Sequence, residues 1–314
     1  MMNEQTAQTR SKIAASEELI AKMKAQIGDF FDVDSHGDLT LKPTGNIPPF
    51  KMIYVKGGEF TMGDEFRNDN KPHKVLLNTF FMAEYPVTQE LYLAVTGENP
   101  SNFQSTNLPV EQVSWLDAMD FCNILNSKIG FSRICNTDYE PVDSNGRNTD
   151  DMLRVNGFRL PTDVEWEYAA RGGTADVVET HDRASLQHRA SLQHRASLQQ
   201  YAGSNFLDDV GWYDKNNDVE TRPVGVKFPN VLGIYDMSGN VWEWCWDWYS
   251  NHFHKNKSQI INPVNLNKST DRVLRGGAWL STSGYCRMAY RYNDGPVSGW
   301  FIDGFRLLFA FQFT

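Results

Sequence analysis

The sequence predicts an α+β fold rich in loops, and three observations predict it. Nine Trp, 12 Tyr and 19 Phe stand beside 23 Gly and 13 Pro, a composition that fits a chain held by large rings rather than by long regular elements. The apolar stretches are short and separated by Asn and Asp. The few strong helix starts each carry their own capping residue.

In chain order, residues 11–28 read as a helix. Ile13, Leu19, Ile20, Met23 and Ile27 form a partial apolar stripe, and Gly28 stops it. This segment reads as a packing or spacer helix, since it holds too few heptads for a coiled coil. Asp29 to Pro49 reads as a linker, giving an N-terminal segment 1–49 and a main domain 50–314. From Met52 to Gly63 two strand-like runs flank Gly57-Gly58, a hairpin signal. Thr88 caps a helix over Gln89–Thr96 that Gly97 ends, and Ser114 caps a second over Trp115–Asn126. Thr162 and Glu165 form a capping box, opening a helix that runs to about Arg171. Arg-Ala-Ser-Leu-Gln-His occurs twice from residue 183, followed by Arg-Ala-Ser-Leu-Gln-Gln. A six-residue period fits no helical seam, so 181–200, with His181, His188 and His194, reads as an inserted surface loop. In Trp242–Trp248 a Trp recurs at every second position, so a strand puts four rings on one face and Glu243, Cys245 and Asp247 on the other. These rings read as core rather than as a ligand-stacking platform.

Composition also excludes. A net charge of −9 argues against nucleic-acid binding by bulk charge. No apolar run approaches transmembrane length, and the polar start from Met1 to Arg10 has no signal-peptide core. The cysteines at 122, 135, 245 and 286 form no CxxC pair and read as buried thiols. There is no G-x-S-x-G, H-E-x-x-H or P-loop, and His252 and His254 read as part of a solvated loop.

The motifs Pro86-Val-Thr-Gln89, Pro109-Val-Glu-Gln-Val-Ser-Trp115, Gly157-Phe-Arg-Leu-Pro-Thr-Asp-Val-Glu-Trp166, Gly233-Ile-Tyr-Asp-Met-Ser-Gly-Asn-Val-Trp-Glu-Trp244, Arg275-Gly-Gly-Ala-Trp279 and Gly304-Phe-Arg-Leu307 stand in that order. Together they resemble the formylglycine-generating-enzyme (sulfatase-modifying factor) family over about residues 50–311. The resemblance implies a single elaborated C-type lectin fold. It also implies what catalysis needs: two cysteines after the Gly-Gly-x-Trp motif that hold copper as thiolates. Cys286 falls at the second position, but Ser281 falls at the first, so the expectation is no enzyme and no copper. A second enzymatic branch, similar to sulfoxide synthases, carries an upstream iron-binding histidine domain, whereas residues 1–50 contain only His36.

For calcium, Asp236-Met-Ser-Gly-Asn-Val-Trp-Glu243 offers a carboxylate at each end of a glycine turn, and the family's structural calcium site matches Asp236, Gly239, Val241 and Glu243. The competing reading is an Asp/Glu pair that caps backbone. A second family site near Asn205 and Asp209 matches only loosely.

Residues 272–309 alternate framework positions with stretches rich in Tyr, Ser, Gly, Asn and Asp, a mixture resembling a paratope. This resembles a third branch, the variable proteins of diversity-generating retroelements. There the C-terminal region is mutagenised at template adenines, so Asn codons yield every residue type except Trp, Gln, Lys, Glu and Met. Of the 17 residues at 280–285, 292–295 and 297–303, 16 belong to the permitted set and only Trp300 does not. The ligand-binding residues expected are Ser281, Thr282, Tyr285, Tyr292, Asn293, Asp294, Ser298, Trp300, Phe301 and Asp303, with Trp279 as a framework ring beneath them. The expected partner is a macromolecule, a protein rather than a nucleic acid. That branch also favours the cell surface, with the polar N-terminal segment following a removed lipid anchor. The competing function is a copper-dependent oxidase of sulfatase cysteine.

Overall fold

Strands from both ends of the chain share one sheet. The computed structural model describes residues 14–66, 70–173, 199–251 and 260–313. Its strands are β1 (Phe31–Val33), β2 (Leu39–Leu41), β3 (Lys51–Val55), β4 (Gly58–Met62), β5 (His73–Leu77), β6 (Phe80–Ala83), β7 (Gly157–Arg159), β8 (Trp242–Trp248), β9 (Ile260–Ile261), β10 (Arg272–Arg275), β11 (Arg291–Asp294), β12 (Asp303–Gly304) and β13 (Leu308–Ala310). They form an antiparallel sheet in the order β1-β2-β3-β6-β13-β7, a second sheet β11-β10-β8-β12, and a third β4-β5-β9. In the second sheet β12 runs parallel to β8 and the other pairs are antiparallel. The helices of eight residues or more among the described residues are α1 (Glu17–Ile27), α2 (Gln89–Thr96), α3 (Trp115–Ile129) and α4 (Asp163–Ala170). Most of the chain between them is loop, as the composition predicts.

The expected caps are present. Thr88 accepts from the Leu91 N–H, and Gly97 closes α2 in the left-handed region at φ 87°. Ser114 and Thr162 each form a capping box, with Asp117 and Glu165 respectively. Helix α3 runs one turn beyond Asn126, because Leu125 and Ile129 continue its buried stripe until Gly130 at φ 88°.

Two N-terminal expectations are corrected. Residues 29–49 are not a linker: β1 and β2 pair with each other and β2 with β3, burying Phe31, Leu39, Leu41 and Ile47 in the main core. The alternation there is only three residues long, too short for period-two reading to detect. The runs around Gly57-Gly58 are strands, but not a hairpin. β3 pairs with β2 and β6, while β4 pairs with β5 in another sheet. Helix α1 begins at Glu17 behind the Ser16 cap, and its Met23 and Ile27 are buried, so it packs. The inserted repeat with its three histidines, and His252 with His254, lie outside the described residues.

Strand β8 divides the interior. Trp242, Trp244 and Trp246 enter one apolar cluster with Trp115, Leu274 and Phe305, while Cys245 faces a second with Trp166 and Val273. The alternation sorts the faces as expected, but both are buried. The indole N–H of Trp244 donates to the Val113 carbonyl (2.9 Å) and that of Trp115 to the Cys245 carbonyl (2.9 Å), so these rings are buried with their donors satisfied.

Arginines tie the β8 sheet to α4. Arg275 Nε donates to Asp163 (2.6 Å) and its Nη2 to Glu167 (2.5 Å), and Arg291 Nε donates to the other Asp163 oxygen (2.7 Å). Burial alone lifts the Glu167 carboxyl, but the Arg171 and Arg275 guanidiniums more than reverse this, to about 2. Arg272 is buried between the Trp115 and Trp248 rings, 3.6 and 3.5 Å from their centroids.

Candidate functional site

The β8 sheet ends at Trp242, and the C-terminal loops gather over that ring. The parallel register sets Asp303 beside Trp242, whose N–H donates to the Ile302 carbonyl at 2.7 Å. Tyr292, on β11, stacks on Trp242 with centroids 5.1 Å apart and 24° between planes. Tyr290 and Tyr285 lie 6.1 and 6.5 Å from the same ring, and 4.8 Å from each other. Trp279 is buried beside this group, with Phe103 edge-on at 5.7 Å and Phe301 at 5.8 Å. Trp242 and Trp279 therefore make a floor on which other rings rest.

Backbone contacts fix the loops that carry those rings. Gly277 holds φ 78°, and a Cβ there would lie 2.7 Å from Cys286 Sγ, so the Arg-Gly-Gly turn needs glycine to bring the 281–286 segment in. The Trp300 carbonyl accepts from the Gln112 N–H (3.0 Å) and from the Asp303 N–H (2.9 Å). The Trp300 indole N–H donates to Asp294 (2.8 Å) and its backbone N–H to Asp303 Oδ2 (3.2 Å).

Of the expected ligand-binding residues, Thr282, Tyr285, Tyr292, Trp300 and Phe301 are exposed, Trp300 by 56 %. Asn293, Asp294 and Ser298 are half-buried, and Asn293 is held through its amide by Asp271 (2.7 Å). Two expectations are corrected. Ser281 is buried, and its hydroxyl accepts from the Ala278 N–H (3.0 Å), closing a turn instead of facing outward. Asp303 is only 1 % exposed, because its backbone is a strand beside β8. Sequence reasoning left out Leu280 and Val297, which are exposed at the rim, and Tyr290 and Phe103, which brace the floor. Leu280 and Val297 sit within the paratope-like stretches, a signal that was present; nothing in the sequence marks Phe103, 176 positions before the Trp279 ring it meets. Among the described residues, six of fifteen exposed large apolar side chains fall between 280 and 301. That concentration, not exposure of any single ring, marks a face.

The face is acidic. Burial lifts the Asp303 carboxyl to about 7, helped by the neighbouring Asp294 charge and opposed by the Trp300 N–H. Burial likewise raises the Tyr292 hydroxyl, and Asp294 and Asp303 add to it. Cys286 is a free thiol buried among Tyr201, Leu207, Val210 and Tyr213, and burial drives its pKa far up.

At the calcium set, Glu243 accepts from Arg306 through both oxygens (2.6 Å each), and from the Trp166 indole (2.6 Å). Asp236 accepts from the Gly225 N–H through Oδ2 (2.7 Å), while its buried Oδ1 has no partner. Of these two carboxylates, Asp236 is thus the one that keeps an oxygen unclaimed by the protein. Among the described residues no cluster of three His, Cys, Asp or Glu side chains could hold a metal. A cleft of about 970 Å³ opens elsewhere, lined by Tyr139, Glu140, Trp248 and Arg272, and holds none of the expected ligand-binding residues.

Comparison with known proteins places this geometry. The sulfatase-modifying factor enzyme 1-like domain matches residues 40–311. The chaperone protein LppX of Paenibacillus barcinonensis is 33 % identical over 264 residues, 76 % of this chain and 82 % of LppX. The formylglycine-generating enzyme of Streptomyces coelicolor is 29 % identical over 288 residues, 81 % of this chain and 88 % of the enzyme. Among solved structures, Treponema denticola variable protein 1 superposes with a TM-score of 0.70 at 32 % identity, covering 87 % of this chain and 98 % of that one. The architecture is the C-type-lectin-like fold of these proteins. No helix among the described residues is long and apolar enough to cross a membrane.

Proposed function

The chain belongs to the sulfatase-modifying factor enzyme 1-like family, and on that premise we propose that it is a non-catalytic binding protein of the diversity-generating-retroelement type, whose C-terminal face takes a macromolecular ligand. One observation carries this reading: exposed Tyr285, Tyr292 and Phe301 rest on a buried floor of Trp242 and Trp279, with exposed Trp300 tethered to Asp294 beside them. Side chains standing on such a floor are exchangeable at little cost in stability, while the floor keeps their positions. Similarity to variable protein 1 over 98 % of that chain supports the same reading.

The competing reading, a copper-dependent oxidase, has less support. Ser281 stands where the first catalytic cysteine is expected and spends its hydroxyl on the Ala278 N–H. Cys286 alone cannot supply the two thiolates, and its burial keeps it protonated. The proposal includes a structural calcium ion on Asp236, Glu243 and the carbonyls of Gly239 and Val241. The unpartnered Asp236 Oδ1 supports it, and Glu243 would then share its oxygens between the ion and Arg306. Removal of calcium by a chelator then lowers the melting temperature, and an unchanged melt removes the ion from the proposal. A location at the cell surface goes with the binding role.

The binding role is tested by comparing sibling chains encoded in the same genome. Differences concentrated at 280–303, with the floor rings constant, are expected; differences scattered evenly over the chain overturn it.

A further inference from the structure

We propose that the face receives a cationic group, the side chain of a lysine or arginine on a protein partner, between its rings and the Asp294–Asp303 pair, a proposal that rests on the binding role given above. Asp303 carries the argument. It is 1 % exposed, its Oδ2 accepts the Trp300 backbone N–H at 3.2 Å, and no cationic side chain is paired with it among the described residues. A buried carboxylate is ordinarily paired with a cation or ringed by donors. Here the nearest charge is another carboxylate, Asp294.

The cations of the segment are already committed elsewhere. Arg287 pairs with Asp64 (2.8 Å) and covers the Phe66 ring, and Arg291 is buried on Asp163. What surrounds the two carboxylates is aromatic: Tyr285, Tyr290 and Tyr292 around Trp242, with Trp300 tethered to Asp294. Ring faces carry negative quadrupole charge, and a cation over them gains both from the rings and from the carboxylates. An anionic or purely apolar ligand would leave the Asp303 carboxyl as it is, buried beside Asp294 with no cation paired to it.

The test presents a random peptide library to the immobilised full chain and to its Tyr292→Ala and Trp300→Ala variants, whose substituted rings are exposed. Peptides retained by the parent and lost by both variants define binding through the face. Enrichment of Lys and Arg among them is expected, and their affinity falls roughly tenfold or more in Asp303→Asn. Asp294→Asn, at a half-buried position, provides the same readout should Asp303→Asn fold poorly. Face-dependent peptides without basic enrichment overturn the cationic inference and leave the binding role standing. Peptides indifferent to both ring substitutions overturn the two together.

Discussion

Arg275 and Asp163 meet at 2.6 Å in the interior, each at most 1 % exposed, and so couple strand β10 to the N-terminus of helix α4. Asp163 also holds Arg291 of β11, so a single carboxylate clamps the two strands that lead into the ring-bearing loops. Removing one partner of such a buried network leaves a charge without compensation. Arg275→Met is therefore expected to destabilise the fold by about 3–5 kcal/mol. Chemical denaturation measures it, and a loss below about 1 kcal/mol would show that the clamp contributes little.

Floor and rim differ in what they carry. Trp242→Ala opens a cavity beneath three tyrosines and should cost about 3–5 kcal/mol. Tyr292→Ala removes a partly exposed ring and mainly its stacking on Trp242, about 0.5–1.5 kcal/mol. Thermal melts of the two variants side by side check the division. Equal losses would mean that rim and floor are one packed unit, with no freedom to vary the rim.

Much of this was legible in the sequence, for physical reasons that also explain the gaps. Capping at Thr88, Ser114 and Thr162 is local, involving side chains three residues apart, so it can be read off the chain. The period of Trp242–Trp248 gave the strand, but not that both its faces are covered, since that depends on α4 and α3 arriving from distant sequence. Pairing is likewise non-local: nothing near Gly57-Gly58 says that β3 turns to β6 and β4 to β5. At the face, residue types identified the exposed rings. They did not identify Ser281 and Asp303 as buried, because a serine that closes a turn and an aspartate in a two-residue strand look in sequence like any polar loop residue.

The lone thiol of the C-terminal segment gives a chemical test. Cys286 is buried and protonated, and Ser281 offers no second thiolate. Native protein should take up no Cu(I) at nanomolar free metal, and Cys286 should react with a thiol reagent only after unfolding. Stoichiometric Cu(I) uptake lost in Cys286→Ala would favour the oxidase reading instead.

Asp303 makes stability depend on pH in a defined direction. Its carboxyl titrates near 7 in the folded chain, against about 4 when unfolded. Between those values the folded state holds a proton that the unfolded state has released. The contribution is thus fully present below about pH 4 and is lost as pH rises through 7. Asp303→Asn cannot ionise, so relative to the parent it gains stability over this range, by at most ~4 kcal/mol. Glu111 and Asp247, also lifted to about 7 by burial, give slopes of the same sign but are common to both proteins and cancel in the difference. The same ionisation should strengthen the hold on a basic peptide as pH rises through 7, with Asp294 the other carboxylate present and Tyr285, Tyr290 and Tyr292 the neighbouring hydroxyls. Denaturant melts of parent and variant from pH 4 to 8 measure the first effect and peptide titrations the second. A stability difference that stays flat across the range would mean that Asp303 does not bury its charge.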